Sequence, residues 1–166
     1  AMGGWAAPWG IEYRIDTMNA YVALIVTGIA SIVLPYAYRS APLYLQKDRV
    51  SLFFSLMMLC LTGLLGMTVT GDAFNVFVFL EISSLSMYGL ISLGQDRRAL
   101  TAAFQYLVMG TIGGTFVLLG IGFLYVVTGT LNMADLAQRL PEVTQLRTLH
   151  TAFAFLVVGI GLKLAM

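Results

Sequence analysis

Five uninterrupted apolar stretches dominate this chain, and each is about 20 residues long, the length of helix that crosses roughly 30 Å of hydrocarbon at 1.5 Å per residue. Inside a bilayer no water bonds the backbone, so a spanning segment is either a helix or a strand of a closed barrel. The runs are continuous, not alternating, which decides for helices. Composition agrees. Charged residues make up 10% of the chain, hydrophobic ones 59%, and the mean hydropathy is +0.87; an ordinary soluble domain is about a quarter charged. A water-soluble core of this size cannot hide so much apolar surface. The expected fold is an all-α, multi-pass membrane protein with about five transmembrane helices.

The stretches fall at residues 17–38, 50–70, 73–93, 100–127 and 149–166. Asp16 and Arg39 bound the first, and Pro35 lies near its exit, where a kink is tolerable. The Gly71-Asp72 connection is so short that the second and third helices must be antiparallel. Residues 1–16 carry Trp5, Pro8, Trp9 and the glycines Gly3, Gly4 and Gly10, without the basic start and apolar run of a secretory signal. They read as a loop on the outer membrane surface. The polar connection 128–148 also belongs outside; in it Asn132 can cap a short amphipathic helix over 133–140 that Pro141 ends. An interfacial helix and an ordered surface loop both fit that segment. Because the chain stops at Met166 within an apolar stretch, it is expected to be a fragment of a longer polypeptide. The fourth stretch holds Gly110, Gly113, Gly114, Gly120 and Gly122, and the Gly110 to Gly114 spacing puts two on one face; close helix packing is the expected meaning, a hinge the alternative.

A net charge of +1, with basic residues scattered among separate loops, excludes a nucleic-acid surface. Cys60 is the only cysteine, so the chain can form no intrachain disulfide and no multi-cysteine zinc site. Neither a metal nor a cofactor is expected. The first and third connections carry five basic residues, Arg39, Lys47, Arg49, Arg97 and Arg98, against three on the other side, Arg14, Arg139 and Arg147. This bias predicts that the odd connections are cytoplasmic. Trp5, Trp9 and Tyr13 then become aromatic anchors at the outer interface.

Two ionisable residues fall inside the spans. Glu81 and Lys163 lie roughly 12 and 21 Å below the same surface at 1.5 Å per residue, and a charge at that depth costs about 3 kcal/mol on insertion scales. Retained charges of this kind face a cavity or a partner. Ser84 and Tyr88 follow on the face of Glu81, where they can hold water or hydrogen-bond the carboxyl. Gly159 and Gly161 leave room for another helix, or water, beside Lys163. Two readings compete for each charge. Glu81 is either a proton-carrying group or a buried carboxyl bonded to a neighbouring helix. Lys163 is either intramembrane or snorkels to the cytoplasmic surface. His150, at the outer mouth of the fifth helix, fits an interface residue better than a proton relay. Asp72 reads as a turn residue.

The segment GDAFNVFVFLE at 71–81 with the serines that follow, FLYVVTGTLNMADLAQ at 123–138, VVGIGLKLAM at 157–166 and the opening GGWAAPWGIEYRID at 3–16 together resemble the proton-antiporter membrane subunit family. That family includes the D-type subunit of Mrp multisubunit cation/proton antiporters, which this chain resembles most, and the antiporter-like subunits of respiratory complex I and related hydrogenases. The resemblance implies a partial antiporter-like fold, from the family's third helix to the first half of its seventh, with the second inverted repeat missing. By motif, Glu81 and Lys163 match the family's proton-relay pair; Ser84, Tyr88 and His150 are candidate auxiliaries by their positions in the sequence. The function implied is a subunit of a monovalent cation/proton antiporter. The alternative is a proton-pumping subunit of a complex-I-like or hydrogenase-type oxidoreductase, whose redox centres and enzyme activity would belong to partner subunits. The partners implied are other membrane subunits, the lipid bilayer, and protons with sodium or potassium. The location implied is a bacterial or archaeal inner membrane.

Overall fold

The computed structural model describes residues 4–7, 9–94, 96–143 and 146–164. Gly3, Pro8 and the end of the fifth stretch at Met166 lie outside the described residues. Five helices are long and apolar enough to cross a membrane: α1 (Thr17–Tyr44), α2 (Lys47–Val69), α3 (Ala73–Ser92), α4 (Arg97–Thr128) and, after the short α5 (Met133–Arg139) and a 3-10 turn (Leu140–Glu142), α6 (Leu146–Leu164). Among the described residues no strand occurs, only two isolated antiparallel bridges. The protein is an all-α integral membrane chain.

Hydropathy marks where hydrocarbon ends, not where a helix ends, and the helix limits differ from the apolar stretches accordingly. α1 continues past Tyr38 and Arg39 to Tyr44, with Pro35 and Pro42 both inside it. α2 and α4 begin at the basic residues Lys47 and Arg97. These polar turns bond their own backbone and need no membrane around them. Asp16 caps α1 through Asn19 N–H at 2.9 Å, and Asp72 caps α3 through Asn75 N–H at 2.8 Å. Asp72 is thus a helix cap as well as a turn residue. Many large apolar side chains remain exposed, Ile32 at 76%, Val126 at 73% and Val157 at 70% among them. In water each would forfeit about 1.5–3 kcal/mol of burial; against lipid tails the exposure costs nothing comparable.

The chain divides into two compact units, one of residues 1–14, 69–78 and 109–166, the other of residues 15–68 and 79–108. In the second unit α2 and α3 meet backbone to backbone. A Cβ added at Gly63 would stand 2.7 Å from Ser83 N and 2.8 Å from Phe79 O, a separation only glycine permits. Tyr38 and Phe54 join α1 to α2 at a ring separation of 6.3 Å. Cys60 is buried and helps to line an apolar groove of about 370 Å³ among α1, α2 and α3.

In the first unit α4 and α6 approach as closely. Gly113 meets Gly159, and Gly120 meets Leu156 and the Ala152 carbonyl; Gly110 and Gly114 are also buried. Phe155 stacks on Phe116 and Phe123 at 5.4 and 5.7 Å, and Leu124, Leu136 and Ala152 form a small core that docks α5 on α4 and α6.

The connections of this unit are clasped by backbone hydrogen bonds. Arg14 N–H donates to Val69 O at 2.8 Å, Gly71 N–H to Glu12 O at 3.0 Å, Ala73 N–H to Leu131 O at 2.8 Å and Met133 N–H to Gly71 O at 2.9 Å. Asn132, 4% exposed, completes the clasp. Its side-chain oxygen accepts from Ala134 and Asp135 N–H while its amide donates to Glu12 Oε1 at 3.1 Å. Gly129, at φ +73°, turns the chain out of α4 in the left-handed region that favours glycine.

On α5, Arg139 Nε donates to Asp135 Oδ1 at 2.9 Å and Arg139 also reaches Thr128 O at 3.1 Å. The hydrogen bond to Arg139 is the main cause holding the Asp135 carboxyl below its ordinary value. Since the folded acid is the stronger one, its contribution to stability is complete above the ordinary carboxylate range and fades as pH falls through the lowered value. Arg139→Gln should return the Asp135 titration midpoint upward, as read from the carboxyl carbon shift. Asn132→Ala should cost about 1–2 kcal/mol through the lost cap and the lost bond to Glu12, measured as a lower melting temperature in detergent micelles.

Candidate functional site

Glu81 sits near the middle of α3 and is half-buried. Ser84 and Tyr88 follow it on the same helix face. Tyr88, two turns on, is 6% exposed, and it hydrogen-bonds the Ser84 side chain. The neighbouring serines turn elsewhere: Ser83 donates to Leu80 O at 3.0 Å, Ser86 to Ile82 O at 2.7 Å and Ser92 to Gly89 O at 2.7 Å. From α4, Tyr106 packs edge-on against Tyr88, with ring centroids 4.8 Å apart and planes at 84°. A carboxyl beside groups that both donate and accept can stay hydrogen-bonded whether or not it carries a proton.

Lys163 belongs to the first unit. It lies in the last turn of α6, half-buried. Its aliphatic stem runs over α4 at Gly113, where an added Cβ would be 3.2 Å from Lys163 Cγ and 3.2 Å from Gly159 O. One turn earlier, a Cβ at Gly159 would stand 2.7 Å from Val117 N and 2.8 Å from Gly113 O. The glycine before the lysine therefore admits the α4 backbone, as the spacing suggested.

Of the residues singled out in the sequence, the structure gathers Glu81, Ser84 and Tyr88 in one unit and places Lys163 and His150 in the other. His150 is exposed in the opening turns of α6. Sequence reasoning missed Tyr106, and it counted Gly113 among the glycines of the fourth stretch without assigning it to the contact with Lys163. Tyr106 carried a signal, a polar aromatic in the middle of an apolar run, but its partner on another helix could not be read from spacing. Among the described residues no group of three or more His, Cys, Asp or Glu side chains could hold a metal ion.

The profile of the family described as NADH:quinone oxidoreductase/Mrp antiporter, TM, matches residues 70–166, which include α3, Glu81 and Lys163. The chain belongs to this family. NADH-quinone oxidoreductase subunit N of Desulforudis audaxviator is 44% identical over 99% of this chain and 32% of that protein. The D-type Na(+)/H(+) antiporter subunit of Bacillus subtilis is 34% identical over 98% of this chain, again 32% of that protein. Among solved structures, a chain of the membrane-bound sulfane sulfur reductase, an archaeal respiratory membrane complex, superposes with a TM-score of 0.86 at 32% identity, covering 95% of this chain and 31% of that one. The chain thus spans about a third of the length of the curated relatives it matches.

The glycine contact beneath Lys163 yields a paired prediction. Gly113→Val should push α6 from α4 and destabilise the protein by about 1–3 kcal/mol, whereas Gly122→Ala, where an added Cβ meets nothing within 4 Å, should be neutral or stabilising by up to about 1 kcal/mol. Melting temperatures of the two variants in the same detergent measure the difference.

Proposed function

We propose that this chain is the proton-handling part of a membrane subunit in a multisubunit monovalent cation/proton antiporter, and that Glu81 and Lys163 form its proton relay. What carries the reading is Glu81: a carboxyl retained near the middle of a membrane-spanning helix, with Ser84 and Tyr88 on its face, in a chain of the antiporter and oxidoreductase family. Groups of this kind mark ion and proton pathways. Protonation of Lys163 would alternate with its charge coupling to Glu81, each making the other's proton easier or harder to release. The relay would work with the rest of the subunit and with other membrane subunits, in the bacterial or archaeal plasma membrane. Ser84 and Tyr88 are auxiliaries in this reading, and His150 is an interface residue. The odd connections, bearing Arg39, Lys47, Arg49, Arg97 and Arg98, would face the cytoplasm.

A second reading has a specific observation in its favour. The 44% identity to the NADH-quinone oxidoreductase relative, against 34% to the antiporter relative, supports a redox-driven proton pump. The relay is the same, and its driving force would come from partner subunits. Copurification separates the two: iron-sulfur and flavin proteins with the pump, small membrane subunits alone with the antiporter.

In the complete assembly, Glu81→Gln should slow proton-coupled transport into vesicles by roughly a hundredfold or more, corresponding to at least ~2.7 kcal/mol of barrier, while the subunits still assemble. Normal flux in that variant would reject the relay.

A further inference from the structure

We infer that the groove among α1, α2 and α3 binds one acyl chain of an anionic phospholipid, whose head-group phosphate is met by Arg49.

The groove follows from how α1 is seated. That helix buries Ala37 and Ala41, small side chains near its C-terminal end, where Tyr38 also meets Phe54 of α2. From Val26 to Leu34 no residue of α1 is buried. Along that stretch a space of about 370 Å³ opens toward Met57 and Leu64 of α2 and toward Met87 and Leu90 of α3. All of these residues belong to the second unit.

The lining decides what can enter. None of the lining side chains carries a nitrogen or an oxygen. Water in the groove would have no partner, and a space of this size left empty forfeits the contacts of every atom on its wall. The occupant is therefore apolar, and the membrane around these helices supplies hydrocarbon. An apolar cavity of about 150 Å³ takes up benzene, so the groove corresponds to roughly fifteen chain carbons. Val26 to Leu34 covers roughly 12 Å of α1, which gives the space a mean section of roughly 30 Å², too narrow for a helix about 10–12 Å across with its side chains. Met57 and Met87, flexible and polarisable, suit an occupant without a fixed shape.

Charge identifies the lipid. The groove runs toward the membrane face at the α1–α2 connection, since Leu90 lies in the last turn of α3. Arg49, Phe53, Met57, Cys60 and Leu64 recur at helical spacing on one stripe of α2. The stripe begins with a guanidinium roughly 12 Å before Met57 and is apolar from Phe53 onward. A phospholipid has the same order along its length, a charged head and then hydrocarbon. Arg49 is exposed, and among the described residues no acidic side chain pairs with it. A guanidinium binds phosphate oxygens through two parallel hydrogen bonds, and basic residues at this level of a membrane favour anionic lipids.

The test uses the complete subunit in its native assembly, in phosphatidylcholine vesicles doped with a phosphatidylglycerol that carries a photoreactive diazirine near the end of one acyl chain. After illumination, mass spectrometry should place the label on the peptides around Val26–Leu34 and Met57–Leu64. That labelling should saturate, and unlabelled phosphatidylglycerol should compete about fivefold better than phosphatidylcholine, as one basic residue near the head groups allows. Ala30→Phe, which fills the groove, should lose most of the label. Because a filled groove can also disturb folding, Arg49→Gln provides a variant at the surface: it should keep the groove label and its assembly but lose the preference for phosphatidylglycerol. Labelling that never saturates and is as heavy on outward-facing Leu24 and Ile32 would show ordinary contact with bulk lipid and overturn the site. Absence of label from the groove would mean that another protein segment covers it, and would overturn the site equally. Saturable labelling with an unchanged preference in Arg49→Gln would refute the role of Arg49.

Discussion

In hydrocarbon a polar atom has only the protein to bond, and the rest of this structure follows from that restriction. Backbone groups are satisfied within helices. Side-chain hydroxyls that face the spans do the same: Thr27, Ser55, Thr62, Thr115 and Thr151 each return their hydroxyl to a carbonyl one turn back. A hydroxyl so used adds little beyond its own satisfaction.

The same restriction explains how the helices are held. Lipid tails are as apolar as leucine, so burying leucine against leucine gives no driving force between helices, and close van der Waals contact has to supply it. The glycines provide that closeness at Gly63 against α3 and at Gly159 against α4. The stacked Phe116, Phe155 and Phe123 add aromatic contact worth about 0.5–1.5 kcal/mol per pair.

Much of this was legible in the sequence, for identifiable reasons. Apolar run length reports hydrocarbon thickness directly, so the number of spanning helices and the all-α class could be read. Helix limits could not, because the aqueous turns of α1 beyond Arg39 and of α6 before Leu149 carry no hydropathy signal. Glu81, Ser84 and Tyr88 stood out because they share one face of one helix. Tyr106 did not, since pairing between helices depends on their rotation about their own axes, which spacing within one helix leaves open. The glycine contact shows the same limit: spacing marks α4 as rich in small residues but does not say which of its glycines meet α6, as Gly113 and Gly120 do. The clasp of Glu12, Gly71 and Asn132 was invisible for a third reason. Glu12 and Asn132 are 120 residues apart, and nothing local announces their bond.

The packing of α6 also limits how Lys163 can act in the proposed relay. Ala152, at 0% exposure, is fixed against Leu124 and Leu136, and Gly159 is locked on the α4 backbone at Gly113 and Val117. Between these two contacts the helix cannot slide or rotate without separating backbones already at glycine-only distance. Motion is then left to the lysine side chain, whose flexible four-carbon stem lies over Gly113 and can swing its ammonium while the stem's base stays put. The glycine contact of α4 and α6 therefore holds the backbone that bears Lys163 in place.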